Sequence, residues 1–403
     1  MINNYSESKY RWYVLSLAAL TMTFCMCVPH ICMPVLFNEI STDLGLDLVQ
    51  VGWIWGFSFA SGLFTVLISG LMADRFSAKR ILIVICTLAG LSGASRGLAN
   101  DFAGLLFTTF LFSFITGAIT STLFKVIATW FSSRQLGLAI GIMLAGGGVG
   151  FTIGSMFSAT LMSPMLGSWR RVLFLYGGIS VFIALLWFIT IKEQQTAGGI
   201  KSGDRAKLRE AIYHVSRNKN VLLISFAMLG YMGCAEGMSG YLPIYLREFK
   251  GWLPASADGT LAAFMGFSTL GAVPISLLSD KLGRRKFLIL LIMAITIIGL
   301  GLLSVADGII IWILIIIIGF GRDGLVALAC TSNIESNGIG VVYSGTAMGF
   351  MQTILRIGAF ISPPIGNSMA ASGAGLPFIV WAGFGAFALV CFSLIRETGR
   401  RQK

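Results

Sequence analysis

Long apolar runs alternate with short polar breaks along the whole chain. A helix needs about 20 apolar residues to cross about 30 Å of hydrocarbon at 1.5 Å per residue. By that measure the breaks predict twelve spans, at 12–36, 51–72, 81–99, 103–130, 136–162, 172–191, 221–247, 259–279, 287–305, 309–331, 343–365 and 376–395. The runs are continuous, which predicts helices and not the ten-residue alternating strands of a membrane barrel. The first run is too long for a signal-peptide core and is expected to remain as a span. The longest polar stretch, 192–220, separates six spans from six. Gly198, Gly199 and Gly203 predict a flexible linker there. Asp204 to Val215 predicts an amphipathic helix with Leu208, Ile212 and Val215 on one face, expected to lie on the membrane surface. The expected organisation is a six-helix bundle over 1–191, a linker over 192–220 and a second six-helix bundle over 221–403.

Composition narrows the class. Of 403 residues 56% are hydrophobic and 11% charged, against about 25% charged in soluble domains. A soluble enzyme and a disordered chain are both excluded. The seven cysteines all lie in apolar runs without metal-ligand spacing, so they are expected to be reduced and buried. With His30 and His214 the only histidines, and no nucleotide-binding loop, neither enzymatic activity nor a cofactor or metal is expected. The net charge of +12 sits mainly in short connections. With the N-terminus in the cytoplasm, 21 of the 29 Lys and Arg fall on the cytoplasmic side. Five (Arg96, Arg170, Arg171, Arg247, Lys250) fall on the other, and Lys125, Arg322 and Arg356 fall inside spans. That bias predicts a multi-pass protein of the inner or plasma membrane with both termini cytoplasmic, its cations facing anionic lipid and not nucleic acid. A monomer is expected.

Two loops repeat. Gly70-Leu-Met-Ala-Asp74-Arg75-Phe-Ser-Ala-Lys79-Arg80 follows the second span, and Ser276-Leu-Leu-Ser-Asp280-Lys281-Leu-Gly-Arg284-Arg285-Lys286 follows the eighth. The aspartates are 206 residues apart, and Gly137-x3-Gly141 recurs as Gly345-x3-Gly349 at an offset of 208. A duplicated six-helix unit explains both. These loops resemble the G-x-L-x-D-R-x-G-x-[KR]-[KR] signature of the major facilitator superfamily, with Ser77 and Ser276 departing from it and Gly283 kept. The resemblance implies an all-α membrane protein of twelve transmembrane helices in two pseudo-symmetric six-helix bundles, carrying out secondary transport by alternating access. It also implies gating roles for Asp74, Arg75 and Asp280, with Asp74 meeting the start of span eleven near Tyr343 to Gly345 and Asp280 meeting span five near Leu136. Gly146-Gly-Gly-Val-Gly150-Phe-Thr-Ile-Gly154 lacks the proline that many exporters carry in span five. Phe124-Lys125-Val-Ile-Ala-Thr-Trp130-Phe131 is similar to a stretch of importers for cyanate, nitrate and organic anions.

Charges inside spans are costly and point to chemistry. Arg322 and Arg356, near mid-depth of spans ten and eleven, predict a shared site for one small anion held by charge-assisted hydrogen bonds. Gln352 stands one turn before Arg356. Glu236, among Gly233, Gly237 and Gly240 in span seven, is expected to couple protons, with Asp323 as the second carboxylate and the glycines softening the helix. His30, Tyr231 and Tyr241 are candidate cavity residues. The expected function is transport of a small organic anion, a carboxylate, in symport with protons. An inorganic-anion (nitrate or cyanate) permease and a drug or metabolite efflux antiporter are the alternatives.

Overall fold

The computed structural model describes residues 10–62, 78–190 and 204–398. Thirteen helices follow one another, and no strand occurs among the described residues. Helix α1 is Tyr10–Leu44, interrupted by a π-turn at Met22–Cys27. It is followed by α2 (Leu48–Ala60), α3 (Ala78–Ser95), α4 (Phe102–Trp130) and α5 (Ser133–Phe157), the last prolonged through a second π-turn to Leu166. Then come α6 (Trp169–Thr190), α7 (Asp204–Arg217), α8 (Lys219–Ile244), α9 (Pro254–Leu282), α10 (Arg285–Leu303), α11 (Ile309–Ile334), α12 (Gly340–Ser368) and α13 (Leu376–Leu394). Twelve of these occupy the twelve expected spans, and α7 is the connecting helix. Ten are long and apolar enough to cross a membrane, and the described part of the second span, α2, is a shorter apolar helix. Helix α12 has 29 residues but carries Gln352, Arg356 and Asn367, and it is not among those ten.

The chain forms two compact units. One comprises 1–45 and 61–200, the other 46–60 and 201–403. The first is built on α1 and α3–α6 around Leu15, Leu82, Leu123, Ile127, Met143 and Trp187. Inside a bilayer, helix association depends on close packing, because lipid is as apolar as leucine. Gly146, Gly150 and Gly154 recur every turn on α5 and seat α1. A Cβ on them would meet Ala19 O at 3.0 Å, Thr23 O at 3.0 Å and Val28 O at 3.1 Å. Thr23 Oγ1 crosses the same seam and donates to Gly146 O at 2.7 Å. The glycine run compared above with an exporter motif is therefore a packing surface.

The second unit packs α8 between α12 and α13, with α9 against α11, around Met228, Ile289, Met293, Leu325, Met351 and Phe392. Gly283, kept in the second loop copy, ends α9 in the left-handed conformation at φ +62°, where only glycine is free of strain. Helix α2 belongs to this unit. Its Trp55 indole donates to Glu236 O at 2.9 Å, and Asn367 Nδ2 donates to Leu48 O at 2.7 Å. Helix α7 also belongs to this unit. Val215 is fully buried with Val221, Ile339 and Ala347, and the His214 ring stacks on Tyr343 at 4.6 Å while Nε2 meets Gly338 O at 2.9 Å. Val215 thus docks on protein at the start of α12, while Ile212 of the same face, and Tyr213, stay exposed. The seven cysteines are free thiols, all buried except the half-buried Cys330.

Gly52 of α2 lies on the α12 backbone, where a Cβ would meet Pro364 Cα at 2.8 Å. A Gly52→Leu substitution should cost about 1–3 kcal/mol through overpacking and lower the thermal unfolding temperature of the detergent-purified protein. Gly349, with nothing within 4 Å of a Cβ among the described residues, provides the contrast. Gly349→Ala should leave that temperature unchanged or raise it.

Candidate functional site

The second unit gathers most of the charged residues expected inside spans. Glu236 sits on α8, which runs without interruption from Lys219 to Ile244 and only then enters a π-turn at Tyr245–Phe249. The glycines around it do not break the helix. Gly233 lies against Phe384 and Ser362, Gly237 against Trp381 and Gly240 against Trp55. They are small because neighbouring rings and backbone press on them, and this close support holds Glu236 in one position.

Glu236 faces Arg322 of α11. Arg322 Nη2 donates to Glu236 Oε1 at 2.7 Å, and Nη1 donates to Asp323 Oδ1 at 3.1 Å. The exposures are graded: 8% for the Glu236 side chain, 16% for Arg322 and 38% for Asp323. The guanidinium also lies over the Phe264 ring at 5.6 Å, which adds a cation–π contribution. Tyr231 donates from its hydroxyl to Arg322 O at 3.2 Å and is almost fully buried, so it fixes the α11 backbone beneath the arginine. Both terminal nitrogens of Arg322 are thus engaged by carboxylates. That differs from the expected pair of arginines open to one anion, and the reason is electrostatic: a buried carboxylate needs a cation, and Arg322 supplies it.

Arg356 of α12 is different. It forms no ion pair among the described residues, and its Nε is buried without a hydrogen-bond partner. Gln352, one turn earlier on the same face, is likewise half-buried. Among the described residues, Arg356 is thus an in-span guanidinium of this unit without an ion pair, beside an amide, while Arg322, Glu236 and Asp323 form a separate triad with a net charge of −1.

Three further candidates lie elsewhere. Tyr241 is fully buried in a cluster with Tyr245, Phe378 and Trp381, its hydroxyl donating to Ala374 O at 3.0 Å. This correction takes it out of any cavity wall and into the packing. His30 is in the first unit, half-buried, edge-on to Phe151 at 6.5 Å. Asp280, at the end of α9, is exposed and pairs with Arg285 at 3.5 Å. Arg285 also grips Glu335 through two bonds of 2.9 Å, and Glu397 caps α10 by accepting from the Arg285 amide at 2.9 Å. Asp74 and Arg75 lie outside the described residues. No cluster of three or more His, Cys, Asp or Glu capable of holding a metal occurs among the described residues.

One residue escaped the sequence reading. Arg96, counted above among loop cations, is 1% exposed. Its guanidinium stacks on Phe112 at 4.1 Å, and Nε donates to Gly93 O at 3.2 Å. The only sequence signal for it was a helix of α3 that could continue by one turn through Ser95-Arg96-Gly97.

Removing either arginine separates these roles. Arg322→Met leaves two carboxylates without their cation and should cost about 3–5 kcal/mol. Arg356→Met removes an uncompensated charge and should leave stability unchanged or raise it. Thermal unfolding of the two purified variants checks the contrast, and equal losses would contradict it.

The comparisons with known proteins agree with this architecture. The sequence profile described as Major Facilitator Superfamily matches residues 14–343. The 3-(3-hydroxy-phenyl)propionate transporter of Escherichia coli strain K12 is 27% identical over 374 residues, covering 87% of each chain. The cis,cis-muconate transport protein of Acinetobacter baylyi is 27% identical over 371 residues, covering 88% of this chain and 86% of that one. Among solved structures, a bacterial homolog of the human lysosomal transporter Spinster, in an inward-facing and unoccupied conformation, superposes with a TM-score of 0.79 at 16% identity, covering 96% of both chains. Its likeness establishes the fold. The profile spans most of the chain, and the helices, their order and the fold agree with it: this protein belongs to the Major Facilitator Superfamily.

Proposed function

We propose that the chain carries a small organic anion across the cell (inner or plasma) membrane, in symport with protons, by alternating access of two six-helix bundles, with both termini cytoplasmic. The observation that carries this reading is the Arg356 guanidinium, which forms no ion pair among the described residues and has its Nε buried without a hydrogen-bond partner, beside Gln352 on α12. A charge inside a span is costly, and a carboxylate ligand would relieve that cost for the half-buried Arg356 through charge-assisted hydrogen bonds. Relatives that carry hydroxyphenylpropionate and muconate support a carboxylate over an inorganic anion or an efflux cargo. The protein acts as a monomer in this reading.

Charge accounting supports the protons. Arg322 and Arg356 are balanced by Glu236 and Asp323, so the empty site is neutral. One bound monocarboxylate makes it negative, and one proton restores neutrality. Both the empty and the fully loaded carrier then cross between states without net charge in a low dielectric, where an excess charge is expensive. Asp323, the most exposed carboxylate of the triad, takes the proton from water. Glu236 holds Arg322 in place throughout.

In proteoliposomes, uptake of a monocarboxylate such as 4-hydroxybenzoate should therefore rise as external pH falls. It should not respond to a membrane potential imposed by potassium and valinomycin. Asp323→Asn should retain exchange of internal for external anion but lose accumulation driven by a pH difference. Uptake driven by potential, or full pH-driven accumulation by the Asp323→Asn variant, would count against this mechanism.

A further inference from the structure

We infer that the substrate is an aromatic monocarboxylate, its carboxylate on Arg356 and its ring on a platform made by Trp53, Phe57 and Phe360. The inference rests on the reading of Arg356 just given and narrows it. Gln352, Arg356 and Phe360 follow one another at intervals of four on α12, so they form one stripe with a rise of about 6 Å between successive members. Helical side chains lean toward the N-terminus. The arginine therefore leans toward Gln352, and the Phe360 ring covers the turn next to Arg356.

Helix α2 completes the platform. It belongs to the same unit and meets α12 so closely that Gly52 lies on Pro364. That approach brings Trp53 and Phe57 to Phe360, with ring centroids 5.7 and 5.1 Å away. Trp53 and Phe57 are themselves 6.0 Å apart. The three rings are mutually tilted or edge-on. Trp53 is 36% exposed, and Phe57 and Phe360 are half-buried. The exposed parts of Trp53 and Phe360 suit offset or edge-to-face contact with another aromatic ring. The charge count limits the other end of the ligand. Arg322 is already engaged by two carboxylates, so of the two arginines at mid-span in this unit, Arg356 is the one without an ion pair among the described residues. A second carboxylate would be left without a partner, at the cost of burying an unpaired charge. The site therefore accepts a ring and one carboxylate.

The test is uptake by the full-length protein in proteoliposomes at a fixed inward pH gradient. Four probes are compared: 4-hydroxybenzoate, 3-phenylpropionate, hexanoate and glucarate. The expected order places both aromatic acids above hexanoate and glucarate last. Each aromatic ring contact accounts for about a 2- to 10-fold preference. Phe360→Leu and Trp53→Leu should reduce the aromatic-to-hexanoate ratio by that factor while hexanoate uptake persists. Thermal unfolding of each variant identifies any general loss of structure, and Trp53, being partly exposed, should be replaced with little change in it. Hexanoate or glucarate carried as well as the aromatic acids, or equal loss of aromatic and hexanoate uptake in a folded Trp53→Leu variant, overturns the aromatic inference. Arg356→Gln separates the two levels. If it abolishes uptake of hexanoate as well, the organic-anion reading stands even where the aromatic preference fails. If it leaves all uptake intact, the organic-anion reading itself falls.

Discussion

The ion pair between Arg322 and Glu236 is the constraint around which the second unit is arranged. At 2.7 Å, with side-chain exposures of 16% and 8%, it takes two charges out of water, and such a pair is tolerable only when its geometry is held. Its surroundings supply that hold. The Tyr231 hydroxyl anchors the α11 backbone at Arg322, Phe264 lies under the guanidinium, and the Glu236 carbonyl is tied to the Trp55 indole of α2. Because Glu236 and Asp323 each engage one terminal nitrogen of Arg322, they also decide which mid-span arginine of this unit is left over. That is Arg356, and the chemistry of the site follows from this division between a compensated arginine and an uncompensated one.

Close backbone approach is the second theme. Helices α1 and α5 meet along a glycine ladder, and α2 meets α12 at Gly52 and Gly56. In a bilayer such contacts replace the hydrophobic driving force that organises soluble cores. They also carry positional information. The approach of α2 to α12 sets Trp53 and Phe57 beside Phe360 and sets Trp55 beside Glu236, so one packed helix touches both the aromatic platform and the backbone under the triad.

The twelve helices were legible in the sequence because an apolar run of sufficient length has few other uses. The charged residues of interest were legible for a related reason: Arg322, Asp323, Glu236 and Arg356 interrupt such runs. Their pairing was not, since Glu236 and Arg322 are 86 positions apart and their meeting depends on how α8 and α11 are turned toward each other. The glycines of α8 misled in a specific way. A glycine can loosen a helix or let a neighbour approach, and only the presence of Trp381, Trp55 and Ser362 at those positions decides for the second. Helix α7 was readable as amphipathic, but an apolar face carries no label for what covers it. In the structure Val215 is covered by the start of α12. Arg96 shows another error: counted as a loop cation although it falls within the expected span 81–99, it sits in the last turn of that span, where its guanidinium folds back on Phe112.

The seven cysteines have a consequence for redox behaviour. A thiol reacts through its thiolate, and a cysteine enclosed by apolar neighbours is chemically inert. Six of the seven are enclosed in this way, and only Cys330 is half-buried. The folded chain should therefore pass through oxidising conditions without crosslinking or sulfenylation at the enclosed positions. It should present a nearly silent background to maleimide reagents. A single cysteine introduced on an exposed helix face would then report on its own surroundings, so the native cysteines need not be removed and the packing they fill stays intact.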